Sequence, residues 1–495
     1  MTSLFRLCVS VPLLGVSAWL SACASDSASP LRSTLFSVAA LESLGLPATL
    51  MPAANTRFDL SHLSASDAAA GDVYGSAVAL SRDGSTLAVG ADLKAAGRPG
   101  DGLPAAGAVY VYTRTPQGWR EQARLRATVP TTGSGFGHSL SLSDDGTRLA
   151  VGAPFESHDG AGADAAVAGD QGTVYVFGRG DGDGGWALQS RLLASKAGSF
   201  DWFGVSVSLS GRGDTVAVSA HRHDGGEPHA RQADSGAVYV FKHGASGWTE
   251  QVVLEASNAQ TGGRLGTSVA LSFDGLTLAA GALASGLGAV HVFRQEAAGW
   301  REQAIVTSAE ATRQNPLGSQ VLLSADGATL AVGATAPDGT EARQRSAGSA
   351  YVFVQQGGQW HQQARVRASN ADVGDAFGER LALSADGRVL AVSAAYEASA
   401  AAGLNGDQSD NSVPSAGAVY LYAREGKRWS QTDYVKSHRT RAGDLFGSAL
   451  ALSGDGRQLA VGARLEDGAA PWSLGGFSFG ERSQNSGAVH LYSRS

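Results

Sequence analysis

The sequence has very few of the residues that stabilise small disulfide-rich folds or bind nucleic acid. Only two of its 495 residues are cysteine, Cys8 and Cys23, so a disulfide framework is excluded. No run of five or more Lys or Arg residues occurs, and the net charge is −7. Because nucleic-acid recognition needs a basic stripe, nucleic acid is not an expected partner.

Long apolar runs are also rare, and the clearest one lies near the start of the chain. Arg6 precedes an apolar stretch over residues 7–19, which has the length of a signal-peptide core and is too short to span a bilayer. It leads into Leu-Ser-Ala-Cys at residues 20–23, which resembles the lipobox of bacterial lipoproteins. The resemblance implies a signal peptide of residues 1–22 and a lipid on Cys23. An ordinary cleaved signal with a chance cysteine is the alternative.

Residues 23–55 are rich in Ala, Ser and Pro, which is typical of a tether between an anchor and a folded body. The lipoprotein resemblance, with Ala24 after the lipobox cysteine, implies sorting to the outer membrane. We therefore expect an exported protein that contacts the membrane through its lipid anchor in the bacterial cell envelope.

Glycine is abundant, with 66 residues, and it recurs at fixed offsets from residue 72 onward. The recurring phrase is an aromatic residue or Leu followed by Gly, a short apolar run, a turn that usually contains Asp-Gly, and Leu-Ala-Val-Gly-Ala or a close variant. Its seven copies begin at Tyr74, Phe136, Phe203, Leu265, Leu317, Phe377 and Phe446. Asp-Gly between apolar runs predicts a hairpin, and a Gly-Ala-Val-Tyr phrase and a Trp-containing segment follow as two further strands. Four antiparallel strands per copy predict propeller blades.

The two ends of the repeat array complement each other. The last copy stops after its third strand, and residues 57–66 have the pattern of a fourth strand with no blade before them. We therefore predict an all-β fold, a seven-bladed β-propeller of four-stranded antiparallel blades over residues 56–495. An N-terminal strand completes the last blade, which removes exposed sheet edges. One irregularity is that Phe58 lies one position away from the Trp position of the other six copies.

The phrases Phe-Gly-x-Ser-Val-x-Leu-Ser and Leu-Ala-Val-Gly-Ala resemble the FG-GAP repeats of the integrin α-subunit head and its bacterial relatives. The resemblance implies a seven-bladed propeller, extracellular use, and ligands bound by loops on one face. Many members bind calcium at an Asp-x-Asp-x-Asp-Gly turn. Here that turn is shortened, as at residues 81–84, to a single carboxylate, whereas calcium needs about six to eight oxygen ligands. No cofactor is therefore predicted, and calcium is not carried over.

The candidate ligand-binding residues come from loops of unequal length that share one face with the aromatic-Gly segments. Trp202 occurs in only one copy, on this face, and is the aromatic residue nominated for ligand contact. His221 and His223 form a His-x-His pair that metals accept, but their loop is polar throughout, so no metal is predicted. Asp407 lies in an Asn- and Asp-rich stretch that lacks complete calcium spacing, and turn formation is its alternative role.

The inner strands, with sequences such as Ser-Val-Ala-Leu-Ser, offer little acid, base or metal chemistry, so we do not predict an enzyme. The predicted function is a membrane-anchored cell-envelope binding or adhesion module, expected to be monomeric, that engages protein or glycan through its loop-rich face. The alternatives are a structural scaffold without a specific ligand and a propeller enzyme with a site in the central channel.

Overall fold

The computed structural model describes residues 58–494, except residues 97–102, 158–168, 181–184, 197, 227–231, 284–285, 336–345, 469–471, 475–476 and 480–483. Residues Thr56–Ser495 form one compact unit. The predicted signal peptide, the tether and Cys23 lie outside the described residues. The described part of the chain consists of strands, turns and loops, and it has no helix that could cross a membrane.

The first strand of the described residues is β1 (Phe58–Leu63), and three four-stranded antiparallel sheets follow, each with its strands in chain order. The first blade consists of β2 (Val78–Leu80), β3 (Thr86–Ala91), β4 (Ala108–Thr115) and β5 (Gly118–Leu125). The second consists of β6 (Ser139–Leu142), β7 (Arg148–Ala153), β8 (Thr173–Arg179) and β9 (Trp186–Leu192). The third consists of β10 (Val207–Leu209), β11 (Thr215–Ala220), β12 (Ala237–Gly244) and β13 (Gly247–Leu254).

Four further blades complete the ring. The fourth consists of β14 (Val269–Leu271), β15 (Thr277–Ala282), β16 (Ala289–Glu296) and β17 (Gly299–Val306). The fifth consists of β18 (Leu317–Leu323), β19 (Thr329–Ala334), β20 (Ser349–Gln356) and β21 (Gln359–Val366). The sixth consists of β22 (Leu381–Leu383), β23 (Val389–Ala394), β24 (Ala418–Glu425) and β25 (Arg428–Val435). The seventh contains β26 (Phe446–Leu452), β27 (Gln458–Ala463) and, after a hairpin of β28 (Trp472–Leu474) and β29 (Phe477–Phe479), β30 (Ala488–Arg494).

The seventh blade is closed by the N-terminal strand. Its sheet has the order β1-β30-β27-β26, so β1 is the outer strand. β1 pairs antiparallel with β30, from Phe58 opposite Arg494 to Leu63 opposite Val489. The predicted seven-bladed propeller and its closure by an N-terminal strand are thus confirmed.

The pairing of β1 also accounts for the irregular position of Phe58. In the other six blades, the third and fourth strands contain a register shift at one equivalent place, as between Val111 and Tyr112. Such a bulge adds one residue to one strand. β1 pairs with β30 without a shift, so Phe58 lies opposite Arg494 as Trp429 lies opposite Arg424. Phe58 therefore occupies the position of the tryptophans in the sheet. Because β1 lacks the extra residue of the bulge, Phe58 is displaced by one residue in the sequence pattern.

Each tight turn between a first and a second strand uses its own serine and aspartate. In the first blade, the Ser81 hydroxyl donates to Asp83 Oδ1 at 2.6 Å and accepts the Thr86 N–H at 2.9 Å, while Gly84 has a φ of 70°. The same Ser-to-Asp hydrogen bond is made by Ser143, Ser272, Ser324, Ser384 and Ser453. These turns are the ones that Asp-Gly predicts, since glycine adopts positive φ without strain.

The apolar core lies between the blades. Among the described residues it divides into seven clusters, each built from the facing sheets of neighbouring blades. Six of the clusters also include a partly buried tryptophan from the fourth strand of a blade, namely Trp119, Trp186, Trp248, Trp300, Trp360 and Trp429. The repeated tryptophans are therefore packing residues.

Neighbouring blades also touch backbone to backbone. Gly107 forms a parallel β-bridge with Phe136 of the next blade. A Cβ atom on Gly107 would overlap the Phe136 carbonyl oxygen, and the φ of Gly107 is +84°. Six further glycines make the same bridge or the same close approach, namely Gly172, Gly236, Gly288, Gly348, Gly417 and Gly487. Glycine recurs in the repeat because only a residue without a side chain lets the blades approach this closely.

Candidate functional site

The seven inner strands surround a central channel that contains a cavity of about 450 Å³. Several serines of these strands bond to the neighbouring blade. The Leu209 N–H donates to Ser141 Oγ at 2.9 Å, and the Leu271 N–H donates to Ser208 Oγ at 2.9 Å. Backbone donors at a sheet edge need such partners. The serine-rich inner strands therefore serve to join the blades.

At the tight-turn end of the channel, the blades are joined by a ring of backbone hydrogen bonds. There, a backbone N–H of each blade donates to a carbonyl of the next, and the seven bonds close a ring through Arg82, Asp144, Gly211, Arg212, Phe273, Ala325, Ala385 and Gly454. The Phe273 ring centroid is 5.7 Å from the guanidinium carbon of Arg82, which belongs to a blade across the ring. Side chains of opposite blades therefore meet across the ring at this end.

A cluster of aromatic and basic side chains lies at the loop-rich end, in the second and third blades. The guanidinium carbon of Arg222 is 4.0 Å from the ring centroid of Trp202, an attractive cation–π distance. The rings of His221 and Phe155 meet Trp202 edge-on, with centroids at 5.5 and 5.4 Å. The Trp202 indole N–H is buried and has no hydrogen-bond partner among the described residues. We call Phe155, Trp202, His221 and Arg222 the Trp202 cluster.

The Trp202 cluster continues into the channel. His138 lines the cavity, and its ring lies edge-on to Phe155 with a centroid separation of 5.5 Å. Its Nδ1 is 3.0 Å from Asp92 Oδ2. Arg380 of the sixth blade also lines the cavity, and its Nε donates to the Ser448 carbonyl at 3.0 Å. The cavity next to the cluster is thus lined by the imidazole of His138, which is bonded to a carboxylate, and by the guanidinium of Arg380.

His221 is neutral near physiological pH. Burial lowers the pKa of its imidazole to about 4, and the positive charges of Arg264 and Arg222 act in the same direction. Its Nδ1 is buried without a hydrogen-bond partner among the described residues. The cluster therefore presents a neutral imidazole beside a fixed guanidinium.

The low pKa of His221 predicts acid sensitivity of the third blade. The unfolded chain takes up a proton near the ordinary histidine pKa, whereas the folded chain does so only near pH 4. The contribution of neutral His221 to the free energy of unfolding is complete above the pKa that His221 has in the unfolded chain. It is lost as the pH falls from that value toward the pKa of His221 in the folded protein. His221→Gln should make stability less dependent on pH by about 2 kcal/mol between about pH 7 and about pH 5, measured by urea unfolding.

His361→Gln is the control for that measurement, because His361 is exposed on β21. An unchanged pH dependence in His221→Gln would show that folding does not lower the pKa of His221.

The four residues that the sequence predicted for ligand binding lie in different settings. Trp202 and His221 are brought together in the Trp202 cluster. His223 is buried and points its Nδ1 at Asp201 Oδ2, at 2.9 Å. Asp407 is exposed in the sixth blade, where its Oδ1 accepts the N–H of Ser409 at 2.9 Å. Ligand contact by any of the four stays a prediction.

Sequence reasoning missed a group of side chains at the seam where β1 closes the ring. His62 of β1 lies opposite His490 of β30. His490 Nε2 is 2.7 Å from Glu466 Oε2, and His62 Nε2 is 3.2 Å from Glu466 Oε1. Burial acts to raise the pKa of Glu466, but hydrogen bonds with His490 and His62 outweigh it and lower the pKa to about 2. We call these three residues the seam cluster.

The only sequence signal for the seam cluster was the predicted pairing of the N-terminal strand with the last strand. That signal did not show that His62 and His490 lie opposite each other. Their pairing depends on the register of β1 and β30, which lack the bulge found in the other six blades.

The model of the FG-GAP repeat family matches residues 58–112, 119–177 and 186–241. These segments take in the closing strand, the first two blades and most of the third. The molecule therefore carries FG-GAP repeats within a seven-bladed propeller. No curated protein sequence matches the chain.

Many solved structures resemble the fold. The β-propeller domain of Myceliophteria thermophila Cps50 (Swd1) is 12% identical with a TM-score of 0.51, and the match covers 88% of this chain and 100% of that chain. Kuenenia stuttgartiensis hydrazine synthase is 14% identical with a TM-score of 0.48, over 81% of this chain and 94% of that one. At such low identity, the likeness to the Cps50 domain shows a shared fold and nothing more. The likeness to hydrazine synthase is weaker, and nothing is inferred from it.

Proposed function

We propose that this FG-GAP-repeat propeller is a binding module of the bacterial cell envelope that engages a protein or glycan ligand through its loop-rich face. The observation that carries the proposal is the Trp202 cluster at the loop-rich end of the channel. An indole ring with a guanidinium over its face offers apolar contact and positive charge at the same place. Aromatic residues and arginines with these properties are the usual anchors of binding surfaces.

The surroundings of the cluster favour a ligand with an acidic group. Arg222 lies over the indole, and Arg264 is close enough to His221 to lower its pKa. Arg380 adds a further positive charge in the lining of the cavity. A carboxylate-bearing glycan or an acidic protein loop would find complementary charge here.

The lining of the channel supports binding over catalysis. Of the described residues that line the cavity, only His138 and Arg380 are ionisable. Acid–base catalysis needs groups of matched pKa converging on one point. Several of the inner-strand serines, such as Ser141 and Ser208, bond instead to the neighbouring blade.

Attachment to the membrane is a further part of the proposal and rests on the sequence around Cys23. The apolar stretch and the lipobox-like Leu-Ser-Ala-Cys support lipidation of this residue, and a tether over residues 23–55 lets the propeller stand away from the membrane. Metabolic labelling with a palmitate analogue should mark the parent chain but not Cys23→Ser. Equal labelling of the two would contradict the anchor.

Removing the Trp202 side chain should weaken ligand binding in a variant that still folds. Trp202 has a φ of 57°, and glycine occupies the equivalent position in the second blade as Gly135, so Trp202→Gly removes the ring without straining the backbone. We expect a ligand found on arrays of acidic glycans and extracellular proteins to bind this variant at least about tenfold more weakly.

Val129→Ala is the matched control, because Val129 is an exposed apolar side chain in a loop between two blades. Binding that is equal in Trp202→Gly and the parent would place the site elsewhere. Absence of any ligand for the parent, with or without calcium, would favour a structural scaffold.

A further inference from the structure

Glu466 occupies a position that recurs just after the second strand of several blades. In the second blade this position is Glu156, whose carboxylate accepts from the Tyr175 hydroxyl at 2.9 Å and lies 2.6 Å from Arg191 Nη2. Tyr175 on the third strand and Arg191 on the fourth are directly opposite each other. A phenol and a guanidinium satisfy the buried carboxylate, and the permanently charged guanidinium does not bind a cation.

The seventh blade has the same arrangement with different side chains. His490 of the third strand and His62 of the closing strand are paired in register as Tyr175 and Arg191 are. Both bond to Glu466. Each partner of the carboxylate is therefore an imidazole here, which is an electron-pair donor that metals bind. Two histidines are not needed merely to give Glu466 hydrogen-bond partners. In the second blade, a tyrosine and an arginine bond to the equivalent carboxylate.

The geometry of the seam cluster is that of a set of metal ligands. One ligand atom from each of His62, His490 and Glu466 lies within 4.8 Å of the others, and within the described part of the chain this is the only such group of His, Cys, Asp and Glu side chains. A third imidazole, His438, follows β25 of the sixth blade. Its ring centroid is 5.6 Å from that of His62 and 5.3 Å from that of His490.

Two ring nitrogens of this group also have no hydrogen-bond partner among the described residues. They are Nδ1 of His490, in a side chain that is 0% exposed, and Nδ1 of His438. Buried polar atoms are rarely left without a partner, and each such atom calls for a ligand or another explanation. Three imidazoles and one carboxylate are a donor set that suits zinc and related ions.

We propose that the seam cluster binds a divalent transition-metal ion of the zinc type, with His438 as the fourth donor. Metal–ligand bonds of about 2.0–2.2 Å require the side chains to close further around the ion. The side chain of His62 is 38% exposed and is the one with room to move. The ion would tie the N-terminal strand to the last strand and to the sixth blade, independently of any ligand at the Trp202 cluster.

The test uses the chain with Cys8→Ser and Cys23→Ser, which removes both of its thiols and with them the competing soft ligands. After treatment with EDTA, zinc sulfate is titrated in by calorimetry, and thermal unfolding is followed as a function of zinc concentration. We expect a single zinc ion per chain and an unfolding temperature that rises with zinc, since a ligand that binds only the folded state stabilises it. Cobalt(II) in place of zinc should give the strong visible absorption of a tetrahedral site.

His62→Arg combined with His490→Tyr is the matched variant, because it copies the second blade and keeps partners for Glu466 while removing two metal donors. It should fold and lose the zinc response. His361→Ala removes an exposed histidine from the fourth strand of the fifth blade and should keep it. An absent zinc response in the parent, an equal response in the double variant, or its loss in His361→Ala would each overturn the proposal. If the double variant does not fold, a full zinc response in both His438→Ala and Glu466→Gln overturns it.

Discussion

Gly107→Ala should destabilise the propeller by about 4 kcal/mol. The added Cβ would overlap the carbonyl oxygen of Phe136, which belongs to the backbone of the next blade and cannot turn away as a side chain can. Overpacking of this kind costs roughly 1–3 kcal/mol, and the positive φ of 84° adds roughly 1–2 kcal/mol for a residue with a side chain. Loss of the bridge between the first two blades adds to both.

Gly118→Ala separates these contributions. Gly118 lies in the same blade with a φ of +112°, but its added Cβ would meet nothing within 4 Å. Gly118→Ala should therefore lower the stability only by the strain of the positive φ, roughly 1–2 kcal/mol. Urea unfolding of the two variants and the parent measures the difference, and equal losses of stability in both would mean that contact between blades does not constrain Gly107.

Deletion of residues 56–66 should remove the cooperative unfolding transition of the parent or lower the stability by roughly 5 kcal/mol. The deletion removes all of β1, so β30 loses its six paired residues and becomes an exposed sheet edge. It also removes Leu63 and Ala65 from the apolar cluster between the seventh and first blades. Exposed edges promote association, so the variant should also aggregate.

Deletion of residues 38–48, which precede the compact unit Thr56–Ser495, is the matched control and should leave the unfolding transition unchanged. A synthetic peptide of residues 56–66 added in trans should restore part of the stability of the shortened chain. If the chain without residues 56–66 melts like the parent, β1 does not contribute to closure.

The sequence by itself determined the blades and their number. Each blade is specified by local signals, such as the Asp83-Gly84 turn and the glycine at position 107, and these signals recur in seven copies. Local patterns act between neighbours in the chain, so they can be read without knowing which distant segments meet. The closing strand was also predictable, because its own pattern is that of a fourth strand and the last copy lacks one.

Only the tertiary structure decided which distant side chains meet. Phe58 faces Arg494, and His62 faces His490, because the closing strand pairs without the bulge of the other blades. Sequence position showed Phe58 as one residue displaced and gave no reason to join the two histidines to Glu466. The contact between Arg222 and the Trp202 ring could likewise not be predicted from the sequence, since it depends on how two loops fold over the start of the third blade. Contacts of this kind depend on register and loop conformation, which short-range sequence patterns do not specify.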